Sequence, residues 1–303
     1  MLDKLARSVR AFTRELKRIS EAPLPPVAPH APSIGLALGG GFARGLAHIG
    51  ILKVFEAEGI PVNFIAGTSV GSVIGAAYCS GISAKELEEI SALVRFKDFA
   101  RWTLSRYGFA SNDRMAAFLG KVLKVHTFEE LKIPLAVAAT DFATGDGVVF
   151  LRGSLVDALR ASCAYPGMFL PVKLDGRLLV DGMLSHAVPT LPLREMGAER
   201  VVGIYLSAHW VNLEGPRHVF DVIGQSFSIA QQKMCGLWES AADIVLQPDV
   251  RGFSYDGFDR APELIRAGEI AARAALGTIK QWIPRPAVEP VPAKTPAVNP
   301  SPA

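Results

Sequence analysis

The sequence predicts an α/β fold with a mostly parallel central sheet, and three observations carry that expectation. Short runs such as Ile34-Gly35-Leu36-Ala37-Leu38, Phe64-Ile65-Ala66 and Pro134-Leu135-Ala136-Val137-Ala138-Ala139-Thr140 are apolar on both alternating faces, as strands buried on both sides of a sheet are. The first two each run into a glycine-bearing turn and then a helix-compatible segment, the order expected of a strand-turn-helix unit. The second of these turns is Gly67-Thr68-Ser69-Val70-Gly71, a G-x-S-x-G. Its glycines let the backbone double back without a Cβ clash, while the serine hydroxyl projects at a helix N-terminus.

Taken in order, the chain begins with Leu2, Leu5, Val9, Phe12, Leu16 and Ile19 at steps of three and four, a narrow apolar stripe that predicts an amphipathic helix over residues 1–20. Lys4, Arg7, Arg10, Arg14, Lys17 and Arg18 against Asp3 and Glu15 give this segment a charge of +4. Three roles are open to it: peripheral contact with an anionic membrane surface, pairing as a short coiled coil, or docking on its own domain. Residues 21–33 form a proline-rich linker, extended and semi-rigid by composition.

The core is expected over residues 34–283. After the strand at Ile34 comes Gly39-Gly40-Gly41-Phe42-Ala43-Arg44-Gly45 and a helix to about Glu58, an arrangement that aims free backbone N–H groups at an anion. A P-loop would need Gly-Lys-Ser/Thr after the glycines, and Arg44-Gly45-Leu46 does not supply it. A dinucleotide fingerprint would have a third glycine where Arg44 stands. The alternatives left are an oxyanion-binding loop and a purely structural turn.

The next strand, over Val62 to Ala66, leads into the serine turn and a helix ending near Gly81. Ser83-Ala84-Lys85-Glu86 is a capping box that starts another helix, to about Val94. Residues 96–111, with Phe99, Trp102, Tyr107 and Phe109, read as aromatic and irregular, either a lid or channel wall or a surface loop with buried aromatics. Asp113 to Lys124 is helical by pattern, Thr127 caps a short helix, and Pro134 to Thr140 and Val148 to Leu151 are strands around a Gly145-Asp146-Gly147 turn. Ser154 caps a helix through Ser162, after which Cys163-Ala164-Tyr165-Pro166-Gly167 opens a rigid loop. Arg177 to Val180 is a strand that delivers Asp181-Gly182 at its C-terminal end, where ligand-facing residues of open α/β sheets gather. Strands over Arg200 to Leu206 and Asp243 to Leu246 and helices over Val222 to Trp238 and Pro262 to Trp282 complete the core. The tail, 284–303, holds seven prolines and is expected to be disordered.

Composition narrows the function classes. The net charge of +3 is concentrated in the first twenty residues, which argues against a nucleic-acid protein with a broad basic face. Cys79, Cys163 and Cys235 show no C-x-x-C spacing, so neither a disulfide framework nor a zinc site is indicated, and no EF-hand loop is present. No metal or cofactor is expected. The N-terminus lacks an uninterrupted apolar core of the secretory type, so a cytoplasmic placement is expected, with the membrane's inner face as the site of any peripheral contact. Gly59 to Ala84 is uncharged and repeats Gly67, Gly71 and Gly75 as G-x-x-x-G, but Pro61, Asn63, Thr68 and its serines make it a poor hydrocarbon span. The same spacing lets a helix press close to a sheet.

Three motifs stand in order: Gly39 to Gly45, Gly67 to Gly71, and Asp181-Gly182. Together they resemble the patatin-like phospholipases, in the bacterial branch related to the catalytic domain of neuropathy target esterase. The resemblance runs from about Ile34 to Ala208 and includes Ala138-Ala139-Thr140-Asp141 and Arg160-Ala161-Ser162-Cys163-Ala164-Tyr165-Pro166-Gly167, which look like family segments outside the active site. It implies a three-layer α/β/α sandwich, an acyl-ester hydrolase with Ser69 as nucleophile and Asp181 as its base, and a phospholipid or lysophospholipid substrate. Gly39, Gly40, Gly41 and Phe42 would hold the oxyanion, with Arg44, Gly45, Gly67, Gly71 and Gly182 in support. Phe42 departs from the family pattern, in which many members have glycine, and its β-carbon bears on which N–H groups face the oxyanion. Arg44 either orients the loop or faces a substrate phosphate. Two other readings stay open: a Ser-Asp-His triad drawing on His48, His186, His209 or His218, and a membrane-recruited protein that binds lipid without turnover.

Overall fold

The computed structural model describes residues 31–95, 98, 101–105, 108–206, 215–216 and 219–283. The predicted helix over 1–20, most of the linker and the tail from 284 lie outside the described residues, as do His209, His218, Phe99 and Tyr107.

The first half of the core runs β1 (Ile34–Leu38), α1 (Ala47–Ala57), β2 (Phe64–Thr68), α2 (Val70–Cys79), α3 (Ala84–Ser91), β3 (Arg101–Ser105), β4 (Gly108–Ser111), α4 (Asp113–Val122) and β5 (Leu135–Asp141). The second half runs β6 (Gly147–Phe150), α5 (Leu155–Ser162), β7 (Val172–Leu174), β8 (Arg177–Asp181), α6 (Thr190–Glu195), β9 (Arg200–Ile204), α7 (Val219–Lys233), α8 (Gly236–Glu239), β10 (Ile244–Leu246) and α9 (Ala261–Ile279). An eight-stranded sheet has the order β10-β9-β1-β2-β5-β8-β7, with β6 also pairing β5. The pairs from β10 to β5 are parallel, and β5 meets β6 and β8 in antiparallel register. The mostly parallel sheet with helices on both sides that the sequence predicts is therefore present.

Strand composition decides which helices lie on which side. Leu36, Leu38, Ile65 and Val137 point into a large core shared with α1, α2 and α9. Ala37, Ala66 and Ala136 point the other way, toward Leu193 of α6 and Trp238 of α8. Large residues on one face and small ones on the other set a thick and a thin layer on the same sheet, because side-chain direction alternates along a strand.

Several elements depart from the expectation. The glycine loop enters a 3-10 turn, Phe42–Leu46, before α1 begins. The segment read as aromatic and irregular contains the β3–β4 hairpin, and β7 and α6 were not anticipated. Each is short, so its periodicity is too brief to register. The Ser83 capping box is present as predicted, with Ser83 Oγ accepting from Glu86 N at 3.2 Å and Glu86 Oε2 accepting from Ser83 N at 2.7 Å. Among the described residues no helix is long and apolar enough to cross a membrane. The G-x-x-x-G stripe serves α2 instead: a Cβ on Gly71 would lie 2.2 Å from the Leu38 carbonyl oxygen, and one on Gly75 would lie 2.9 Å from Ile65 Cγ2.

Candidate active site

Ser69 links β2 to α2 with φ 54° and ψ −129°. That left-handed backbone is unfavourable for a residue with a β-carbon and persists only where its surroundings impose it. The motif glycines make the turn sterically feasible, since a Cβ on Gly67 would fall 2.4 Å from Ser72 Cα. A third contact holds the turn: Ser69 N donates to the buried Ser162 Oγ at 2.8 Å.

Strand register brings the acid to the serine. Thr68 pairs with Ala138 of β5, and Ala139, the next residue, pairs on that same side with Asp181 of β8, since β6 occupies the other side of both residues through Val149 and Val148. β2 and β8 thus meet end to end along one side of β5, which sets Asp181 directly beyond Thr68 and beside Ser69. Because β8 is antiparallel to β5, its last residue, Asp181, runs toward the carboxyl end of β2, so the acid sits at the strand end expected from the sequence. Gly182 permits this, as a Cβ there would meet the Ala138 carbonyl oxygen at 2.3 Å.

Asp181 is fully buried. Its Oδ1 accepts from Met183 N at 2.9 Å, while Oδ2 makes no hydrogen bond of ordinary geometry. Burial pushes the carboxyl up to about 7, and the Met183 amide and the Ser69 hydroxyl pull it partly back. The Ser69 interaction is therefore long or poorly aligned here, as catalytic contacts without substrate often are. Asp181 N donates to the Ala164 carbonyl at 3.0 Å.

The segment placed outside the site by its resemblance is thus part of it. Ser162 holds the backbone of Ser69, Ala164 holds that of Asp181, and between them the Cys163 thiol interacts with Ser69 and Ser72. Burial raises the Cys163 thiol well above its ordinary value and keeps it protonated. Nothing local in the sequence signals this, because the partners lie about ninety residues away for Ser69 and seventeen for Asp181.

The glycine loop approaches from the opposite side, and a Cβ on Gly40 would sit 3.4 Å from Ser69 Cβ. Gly39 leaves the set of candidate donors: its N–H is already given to Ile204 O at 3.1 Å. The N–H groups of Gly40 and Gly41 have no protein acceptor among the described residues. Phe42 adopts φ 51°, the conformation that explains glycine at this point of the family loop. Its strain, on the order of 1–2 kcal/mol, is offset by packing of the ring against Tyr165 and Tyr255, with centroids 4.9 and 5.8 Å away.

Arg44 is nearly fully buried and donates from Nε to the Phe253 carbonyl at 2.9 Å, so it braces the loop. Burial brings its guanidinium down to about 10, which leaves it charged at neutral pH. Gly45 lets the 3-10 turn press on α2, as a Cβ there would lie 2.3 Å from Val70 Cγ1. His48 donates from Nε2 to Gly39 O at 2.8 Å, and burial lowers it to about 4, so it is a neutral brace. His186 contacts Ser185 Oγ through Nδ1 at 3.1 Å and, like His48, lines neither of the cavities that Ser69 lines.

Those two cavities differ in chemistry. One, about 910 Å³ including its mouth, is walled almost entirely by hydrocarbon from α2, α4 and the chain after Leu87. The other, about 560 Å³ counted the same way, is bordered by Gly40, Gly41, Arg44, Asp181, Tyr205 and Gln231. Ser69 stands at both. Among the described residues no group of three or more His, Cys, Asp and Glu side chains converges as a metal site.

The Asp181 environment has a consequence for stability. Its carboxyl releases a proton near pH 4 in the unfolded chain and near 7 in the fold, so the unfolded state binds fewer protons across that window and stability falls as pH rises through it. Asp181→Asn, a neutral mimic of the protonated acid, is expected to exceed the parent in stability at pH 8 by about 2–4 kcal/mol, with the gap closing toward pH 4. Urea unfolding at both pH values measures it, and an equal gap at both would contradict a raised carboxyl.

Comparison with known proteins follows the same outline. Over 192 residues the chain is 31% identical to an NTE family protein of Mycobacterium tuberculosis, covering 58% of this chain and 50% of the relative. It is 29% identical over 231 residues to the lysophospholipase NTE1 of Mycosarcoma maydis, covering 73% of this chain and 12% of that protein. It is 35% identical over 185 residues to the human patatin-like phospholipase domain-containing protein 6, covering 57% and 13%. The chain spans half the length of the mycobacterial relative and about an eighth of the other two. Among solved structures, VipD from Legionella pneumophila superposes with a TM-score of 0.50 at 12% identity, over 84% of this chain and 67% of that one, a likeness of fold alone. The model of the patatin-like phospholipase family matches residues 36–194, more than half of the chain. The chain belongs to the patatin-like phospholipase family.

Proposed function

We propose that this protein is a serine acyl-ester hydrolase acting on phospholipids or lysophospholipids through a Ser69-Asp181 dyad. The observation that carries the reading is a buried carboxyl with a pKa near 7 beside a serine on a strained turn, at the junction of an apolar and a polar cavity. An acid of that strength accepts a proton near neutral pH far better than a solvated Asp with a pKa of about 3.9. Membership of the family and likeness to a lysophospholipase support the substrate class.

In this reading Ser69 Oγ attacks the ester carbonyl carbon while its proton passes to Asp181. The oxyanion formed takes hydrogen bonds from the N–H groups of Gly40 and Gly41, and loss of one such donor costs about 3–4 kcal/mol in comparable sites. As the carbon-oxygen bond breaks, Asp181 gives the proton to the departing alcohol. Water then attacks the acyl-serine, Asp181 takes its proton, and fatty acid leaves as Ser69 recovers its hydrogen. The acyl chain occupies the apolar cavity and the alcohol the polar one.

Ser69→Ala and Asp181→Asn are expected to lose nearly all hydrolysis of p-nitrophenyl esters, and only variants retaining Ser69 should react with a fluorophosphonate probe. Single replacement of His48, His186, His209 or His218 by Ala should leave turnover within about tenfold of the parent. Loss of activity in a folded His186, His209 or His218 variant would replace the dyad by a triad, and a parent that neither turns over nor labels would favour lipid binding without hydrolysis. Since Asp181 must be ionised to act, kcat/KM should rise with pH through about 7. A limb near 4 would mean that the acid is solvated. Ser162→Ala removes the acceptor for Ser69 N–H and is expected to lower kcat by about ten- to a hundredfold with KM little changed, whereas an unchanged kcat would show that the turn holds without it.

A further inference from the structure

The apolar cavity specifies which acyl chains it receives. Along α2 its wall is the stripe Val70, Val73, Ile74 and Ala77, beginning at Ser69. At about 1.5 Å per helical residue, Ala77 lies about 12 Å from Ser69. The chain from Leu87 to Val94 and α4 from Met115 to Val122 line the cavity over similar two-turn stretches. An extended hydrocarbon with bonds of about 1.5 Å and angles of about 111° advances about 1.25 Å per carbon, so this length accommodates about ten carbons.

Side-chain size varies along the stripe. Branched residues line the portion near Ser69, and Ala77, the smallest of the four, stands two turns away. Ala77 is only 4% exposed and lines the cavity, so a larger side chain there would take up space that a long acyl chain needs. The wall also offers little to a polar substituent: the hydroxyl of Ser91 is already given to Glu88 O at 2.7 Å, and Cys163 is a weak partner. The contents that fit are a straight, unsubstituted hydrocarbon.

We propose that Ala77 is the chain-length gauge of the acyl cavity, selecting straight acyl groups of about ten carbons over short ones. The proposal rests on the reading of Ser69 as the nucleophile, and the experiment separates the two. Hydrolysis of p-nitrophenyl butyrate and decanoate, at concentrations where both are monomeric, is compared for the parent, Ala77→Phe and Ala77→Leu. The parent should prefer decanoate, since each buried methylene favours binding severalfold. Ala77→Phe should lower the decanoate-to-butyrate ratio of kcat/KM at least tenfold, and Ala77→Leu by a smaller factor. The leucine variant carries the test if the phenylalanine variant fails to fold. A ratio unchanged in the folded variants while the parent hydrolyses both esters overturns the gauge alone. A parent that hydrolyses neither overturns the nucleophile reading and the gauge with it.

Discussion

The site depends on a stretch of three residues that holds two others at a fixed separation. Ser162 accepts the Ser69 amide and Ala164 accepts that of Asp181, so the serine turn and the acid strand are tied to one short piece of backbone at the end of α5. Without the first bond, the amide of a residue with unfavourable backbone angles would be left buried and unpaired, a cost of about 1–3 kcal/mol on top of the strain. The second bond pins an acid whose ionisation is already opposed by burial. Rigidity at Ser162 and Ala164 thus serves both halves of the pair, and the Pro166-Gly167 turn that follows limits the freedom of that backbone.

Around this clamp the sheet supplies alignment. Parallel pairing of β1 with β2 sets the glycine loop beside the serine turn, and antiparallel pairing of β8 with β5 brings Asp181 level with it. The turn to antiparallel pairing at β5 is what allows this, since a parallel strand would carry its last residue to the far edge. Glycine then sets the distances: at Gly67, Gly71, Gly45 and Gly182 a β-carbon would collide with backbone or a branched side chain.

Electrostatics divides the buried polar groups by role. Burial raises the basicity of Asp181 toward neutral pH, whereas the same burial keeps His48 neutral while its Nε2 donates to the Gly39 carbonyl. Arg44 donates from Nε to the Phe253 carbonyl, which braces the loop, and it also borders the polar cavity. The loop bearing Gly40 and Gly41 is therefore braced by a cation and a neutral imidazole, and both glycines border the polar cavity.

The sequence by itself determined the strand-turn-helix units, the glycine loop, the serine turn and the Asp-Gly end of β8, because each is a local pattern whose residue types follow from a local need: apolar strands for burial, glycine for close approach, a serine where hydroxyl and helix terminus meet. It also determined Phe42 as the departure in the loop, and the positive φ found there gives the reason. Only the tertiary structure decided that Gly39 is engaged with Ile204, that Arg44 and His48 brace the loop, and that Ser162 and Ala164 belong to the site. These are pairings between residues distant in the chain, set by sheet order and strand direction. A strand's own residues carry no mark of which neighbour it will take, so the partner of each buried polar group becomes visible only once the sheet is assembled.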